Sequence, residues 1–264
     1  MLEAFFGDIS VVGVVIICGL VFLAGYVDAI AGGGGLISLP AYMIAGLPIH
    51  AAIATNKLSS AMGTIVSTWH YARSGFIQLR LAIPCVLCAL VGGSLGAQLV
   101  LLIDADILQI LMLIILPLTA FYVFKSKNFQ QTDKESYPLK KTLIIAMGCA
   151  LIIGAYDGFY GPGTGTFLIL LLSGVAHLRL DAAAGITKVI NLTTNLSSLF
   201  VFLLNGQVLI LIGLLAGCFS IAGNFLGART FTKSGGSVAR PIIIVVLCVF
   251  FVKVIYDLAS PYFL

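Results

Sequence analysis

Apolar residues run along this chain in blocks long enough to cross a lipid bilayer, separated by short polar or glycine-rich breaks. A helix needs about 20 apolar residues to span the hydrocarbon core. Candidate spans fall near 9–31, 51–72, 81–103, 107–124, 142–160, 182–204, 208–228 and 241–259. Two shorter apolar pieces, near 36–47 and 164–176, each follow a glycine-rich break and are too short to cross comfortably alone. The one truly polar stretch is KSKNFQQTDKESYPLKK, residues 125–141, which reads as an exposed linker. The pattern predicts an all-α integral membrane protein with eight long spans and two short helices.

The linker separates two related halves, 1–124 and 142–264. GYVDAIAGGGG from Gly25 matches GAYDGFYGPGTG from Gly154, which aligns Asp28 with Asp157 at an offset of 129. ATNK ending at Lys57 matches GITK ending at Lys188 at an offset of 131, and the same offset sets GGSLGA from Gly92 on GNFLGA from Gly223. Shared leucines would mean little among apolar segments, but aligned aspartate, lysine and glycine clusters in one order indicate a duplication.

Loop charge sets the expected orientation. Arg73 and Arg80, five lysines of the linker, and Arg229, Lys233 and Arg240 mark three cytoplasmic loops by the positive-inside rule. Asp104 and Asp106 then face outside, with Glu3, Asp8 and both termini; Lys253 fits this poorly. Alternation works if each glycine break joins a pair that goes in and comes back. Each half then makes a glycine-broken helix pair plus three spans, an odd number of crossings, so the halves form two inverted-topology repeats. That architecture belongs to secondary transporters, whose sites form near the midplane at broken helices.

Composition agrees and removes competing classes. The chain has 264 residues, 60% hydrophobic and 9% charged, against about 25% charged in soluble domains. The net charge of +4 sits in short loops, so no nucleic-acid partner is implied. Cys85 and Cys88 form a CxxC without the second pair or histidine that a zinc site needs, and the six cysteines read as small packing residues. His50, His70 and His177 lie at span ends, so no metal and no cofactor is expected. The N-terminal MLEAFFGDIS is acidic where a signal peptide is basic, so the first span is expected to stay in the mature protein. Trp69 and Tyr71 beside Arg73 read as an interfacial anchor. Gly92 with Gly96, and Gly223 with Gly227, have the small-xxx-small spacing of close helix packing.

Two constellations carry chemistry. Gly32, Gly33, Gly34 and Gly35, and in the second half Gly161, Gly163 and Gly165, allow sharp turns and close approach to the backbone. The short helix after each break starts with unpartnered amides, which favour a small anion. Thr164 and Thr166 add hydroxyl donors. On the following spans, Lys57, Ser60, Thr64 and Ser67 share the spacing of Lys188, Asn191, Asn195 and Ser198, with Asn56 widening the first stripe. That spacing puts each set on one helix face. A charge at a helix centre costs about 2.5–3.5 kcal/mol on insertion scales, so the lysines and the aspartates need partners or a function. The expected pairs are Asp28 with Lys57 and Asp157 with Lys188. Either these pairs fix helix register, or the lysines are countercharges for an anionic substrate while the aspartates orient them or carry protons. Paired catalytic carboxylates, a Ser/His/Asp set and HExxH are missing at sensible spacing, which argues against an enzyme. A passive anion channel and a structural membrane subunit are the alternatives to a carrier.

VDAIAGGGGLISLP, ATNK, YDGFYGPGTGTF and GITK together resemble the TauE/SafE sulfite-exporter family of bacterial membrane permeases, over nearly the whole chain. The resemblance implies a multi-pass protein of the bacterial plasma membrane that moves small sulfur-containing anions such as sulfite or organosulfonates. It carries the family's motifs onto Asp28, Gly32 to Gly35, Asn56 and Lys57, and onto Asp157, Gly161, Gly163, Gly165 and Lys188. Thr187 stands where the first half has Asn56, so the two half-sites need not be equivalent.

Overall fold

The computed structural model describes residues 9–108, 110, 111 and 137–234. The spans expected near 107–124 and 241–259 lie almost wholly outside these residues, as do Glu3, Asp8, Lys253 and most of the linker. The described residues form helices and no strands. In the first half these are α1 (Val11–Ala31), α2 (Gly35–Ile44), α3 (Ile49–Arg73) and α4 (Leu79–Leu101); in the second, α5 (Leu139–Phe159), α6 (Thr164–Gly174), α7 (Leu180–Leu204) and α8 (Ile210–Ser234). Helix α5 takes in the last three residues of the expected linker.

Local chemistry explains the ends. Ser10 caps α1 by accepting from the Gly13 amide at 3.1 Å, and Gly32 closes it in the left-handed conformation, φ 71°. Five helices, α1, α4, α5, α7 and α8, are long and apolar enough to cross a membrane. Helix α3 is as long, but its polar stripe lowers its hydropathy. That stripe is buried: Asn56, Lys57, Ser59, Thr64 and Ser67 on α3, and Lys188, Asn191, Asn195 and Ser198 on α7, all face protein. The outward residues are apolar instead, including Ile83, Leu87, Ile152 and Phe200.

The halves interlock. Helix α4 packs on α5 and α7, α8 packs on α1 and α3, and α3 meets α7 at the centre. The glycine spacings make these contacts. A Cβ on Gly92 or Gly96 would strike the Leu151 or Ala155 carbonyl of α5, and one on Gly223 or Gly227 would strike the Phe22 or Tyr26 carbonyl of α1.

Each short helix folds back beside the long helix before it. Gly34 packs on Ala24 and Asp28, and Ala45, just past α2, lies against Gly13 near the start of α1. In the second half Thr142 of α5 donates to the Ala176 carbonyl, just past α6, at 3.5 Å. These two hairpins enter from opposite ends. The first shares its end with the start of α3 and the finish of α4, where His50 Nε2 approaches the Val100 and Ile103 carbonyls at 3.2 and 3.0 Å. The second shares its end with the α3–α4 loop, since both border one cavity of 420 Å³ lined by Phe76, Tyr137 and Arg179. Arg73, Arg80, Lys141, Arg179 and Lys233 all belong to this second end. Trp69 there is exposed with the Arg73 guanidinium 4.7 Å from its ring, as an interfacial anchor requires. Tyr71 is not part of that anchor. It is fully buried and donates to the Ala29 carbonyl at 2.6 Å, because its position on α3 faces α1 rather than lipid.

The hairpin tips meet backbone to backbone. A Cβ on Gly165 would come within 2.5 Å of the Gly32 Cα, and Thr166 Oγ1 donates across the junction to the Ala31 carbonyl at 2.7 Å. Forcing a methyl group into such a contact costs about 1–3 kcal/mol or more. Gly165→Ala is therefore expected to lower the melting temperature in detergent by several degrees. Gly19→Ala, with no atom within 4 Å of the new methyl, should leave it unchanged or slightly raised, since alanine favours helix by up to about 1 kcal/mol.

Candidate functional site

A polar cavity of about 40 Å³ lies where the hairpin tips meet α3, α7 and α8. That is room for about three water molecules, the scale of a small oxyanion. Both halves contribute. From the first come Asp28, Gly32, Gly34, Gly35, Asn56, Lys57, Ser60 and Thr64; from the second, Asp157, Gly161, Thr164, Gly165, Asn191 and Asn195. Most residues singled out by the sequence are thus brought together from positions up to 167 residues apart along the chain.

The ion pairs are crossed. Lys57 Nζ lies 3.0 Å from Asp157 Oδ1, and Lys188 Nζ lies 2.7 Å from Asp28 Oδ2. The expected pairing within each half is replaced by pairing between halves. The reason is geometric. Helices α3 and α7 pack side by side at the centre, and each carries its lysine to the opposite hairpin. Lys188 also donates to the Asp28 backbone carbonyl, which accepts from the Gly32 amide at 2.9 Å as well. Gly161, at φ 100°, leaves room for the other pair: a Cβ there would sit 3.1 Å from Asp157 Oδ1 and 3.3 Å from Lys57 Nζ.

The two aspartates are held differently. Asp157 accepts from Lys57 and from Thr194 Oγ1, Thr164 Oγ1 lies 2.9 Å from it and 2.6 Å from the Gly161 carbonyl, and the Asp157 side chain is 7% exposed. Among the described residues, Lys188 alone donates to the Asp28 carboxylate, and the Asp28 side chain is 20% exposed.

Four expected residues do not line the cavity. Lys188 stands behind Asp28 with only 1% of its side chain exposed, so it acts on the cavity through that carboxylate. Thr166 spends its hydroxyl on Ala31, while Gly33 and Gly163 shape the turns from outside. No side chain caps the start of α2 or of α6. Conversely, Ser38, Ser220 and Asn224 line the cavity without having been expected there. Asn224 sits inside GNFLGA, where the glycine spacing drew attention to packing; one polar side chain buried beside that motif was the available signal. Asn191 Oδ1 and Asn224 Oδ1 are buried with no hydrogen-bond partner among the described residues. Among the described residues no cluster of His, Cys, Asp and Glu has the form of a metal site.

Helices broken inside an apolar bundle around a charged cavity are the architecture of membrane transport proteins. The chain belongs to the sulfite exporter TauE/SafE family, which matches residues 17–254. Among curated relatives it is 34% identical over 242 residues to a probable membrane transporter protein of a Sinorhizobium species, covering 91% of each chain. It is 35% identical to the probable membrane transporter protein YfcA of Escherichia coli, over 89% of this chain and 87% of that one. A probable membrane transporter protein of Haemophilus influenzae is 33% identical over 89% of this chain and 92% of its own. No solved structure matches this chain.

Breaking a buried ion pair by removing one partner costs about 3–5 kcal/mol, because the other charge stays buried. Asp28→Asn and Lys188→Met should each lower thermal stability in detergent, and the double variant should recover part of the loss. Coupling of about 1–3 kcal/mol is expected for groups in contact. Combining Asp28→Asn with Lys57→Met should recover less than Asp28→Asn with Lys188→Met, the reverse of what pairing within the first half would produce.

Proposed function

We propose that the protein is a secondary transporter for small sulfur-containing anions such as sulfite or organosulfonates, working by alternating access. The observation that carries this reading is the cavity between the two hairpin tips, framed by Lys57, Asp28 and Asp157 and by backbone amides of uncapped helix starts. The family's name supports the class of substrate, and relatives named as probable membrane transporters support the class of activity. The substrate binds between the tips, takes hydrogen bonds from the glycine-rich turns and from Ser60, Thr64, Thr164 and the asparagines, and competes with Asp157 for Lys57.

The same reading makes the halves two inverted repeats, each a re-entrant hairpin plus three spans, with 8 long spans and 2 short helices in all. Hairpins that enter from opposite ends support it, as does the matched packing of α4 on α5 and α8 on α1. The gathering of basic side chains at one end supports a cytoplasmic linker and termini outside the bacterial plasma membrane. Rocking of one half against the other about the Gly32–Gly165 junction opens the cavity to each side in turn.

Sulfite uptake into proteoliposomes tests the site. Lys57→Ala and Lys188→Ala, each verified as folded by gel filtration, should lose at least about tenfold of the uptake, the equivalent of about 1.4 kcal/mol of binding. Undiminished uptake in both would sink the assignment. Counterflow decides the mode: internal sulfite should accelerate entry of labelled sulfite, which a passive anion channel does not do.

A further inference from the structure

We infer that Asp28 is the proton-carrying group of this cavity and that one proton crosses with each monovalent anion; this rests on the anion-carrier reading above. Four formal charges meet at the site, Lys57 and Lys188 against Asp28 and Asp157, and with both pairs closed they cancel. The lysines therefore offer no standing countercharge. An anion added to this buried set leaves one uncompensated negative charge, which an apolar surrounding penalises heavily. A proton on Asp28 removes that imbalance. The Asp28 carboxylate becomes a neutral carboxyl, Lys188 keeps the Asp28 backbone carbonyl as a partner, and the site gains one positive charge. A monovalent anion then restores neutrality, and release of both returns the closed pairs.

The choice between the aspartates follows from what surrounds them. Besides Lys57, Asp157 accepts from Thr194 Oγ1, and Thr164 Oγ1 stands 2.9 Å from it while sharing its proton with the Gly161 carbonyl at 2.6 Å. The register that aligns the aspartates puts Gly35 where the second half has Thr164. The register that aligns the lysines puts Gly63 where it has Thr194. Asp28 thus has neither hydroxyl beside it. A threonine cannot be restored at Gly63 without conflict, since a Cβ there would fall 2.2 Å from Ser220 Oγ and 2.3 Å from Asn224 Nδ2. Asn224 also lines this cavity, with its Nδ2 against Gly25, one turn before Asp28, and its Oδ1 without a hydrogen-bond partner among the described residues. The ionisable groups around Asp28 are Lys188 from α7, Tyr71 and Lys57 from α3 and Asp157 from α5. To the cavity, α2, α6 and α8 bring only hydroxyl, amide and backbone groups.

Two measurements on reconstituted full-length protein test this. Dicyclohexylcarbodiimide modifies protonated carboxyls in apolar surroundings and needs no substrate. Peptide mass mapping should find it on Asp28, increasing as pH falls, at least about fivefold more than on Asp157. Labelling of Asp157 equal to or above that of Asp28, or of neither, overturns the assignment. The second readout is the ratio of labelled sulfite uptake with and without an inward proton gradient. Wild type should give a ratio of at least about five, Asp28→Glu a ratio above one, and Asp28→Asn a ratio of one. An Asp28→Asn protein that still responds to the gradient overturns the inference. If wild type moves no sulfite in either condition, the sulfur-anion reading fails by itself, and the carbodiimide labelling still decides Asp28.

Discussion

Two lysines and two aspartates buried in an apolar bundle must neutralise one another, and this protein does so across its two halves. A lone ammonium or carboxylate at that depth would unfold the site or lose its charge. Crossing the pairs makes each half incomplete without the other. The rest of the architecture serves that meeting: the hairpins bring the aspartates inward, α3 and α7 pack side by side to deliver the lysines, and the bare backbone at Gly32 and Gly165 lets the tips approach closely enough. Because the same pairs also border the cavity, whatever binds there is in competition with contacts that hold the halves together. In the proposed mechanism, binding and rearrangement are coupled through that one set of charges.

The irregular backbone is placed where physics tolerates it. Turn residues that leave amides free cannot face lipid, where nothing replaces the missing hydrogen bonds. Both breaks are buried in protein and open onto a polar cavity instead. The outer surfaces of α4, α5 and α8 carry the exposed aliphatic side chains, while polar side chains concentrate on the two central helices. That division explains why α3 is less apolar than the long helices around it: it is shielded from lipid by α8, α1 and α7.

The two half-sites are related but unequal. Space is exchanged between helices: where α7 carries Thr194, its neighbour α4 has Gly93, and where α3 has Gly63, its neighbour α8 has Asn224. The first exchange gives Asp157 a hydroxyl; the second gives the cavity a carboxamide near Gly25. The two halves have in this way acquired one carboxylate with hydroxyls beside its lysine and one with its lysine alone.

Much of this was legible along the chain, because the strongest signals are local. Apolar length located six of the described helices within a few residues, glycine runs marked both breaks, and the three-four-three spacing from Lys57 and Lys188 put the polar stripes on one face each. The same glycine spacing located the close packing of α4 and α8. Partnership was not local. Sequence proximity favoured Asp28 with Lys57, whereas the helix packing joins Asp28 to Lys188. Asn224, Ser220 and Ser38 entered the cavity, and Tyr71 left the interface, for the same reason. A side chain's type and spacing declare what it needs, a partner or a polar surrounding, but which group meets that need depends on how helices distant in the chain lie against one another, and only the tertiary structure decides that.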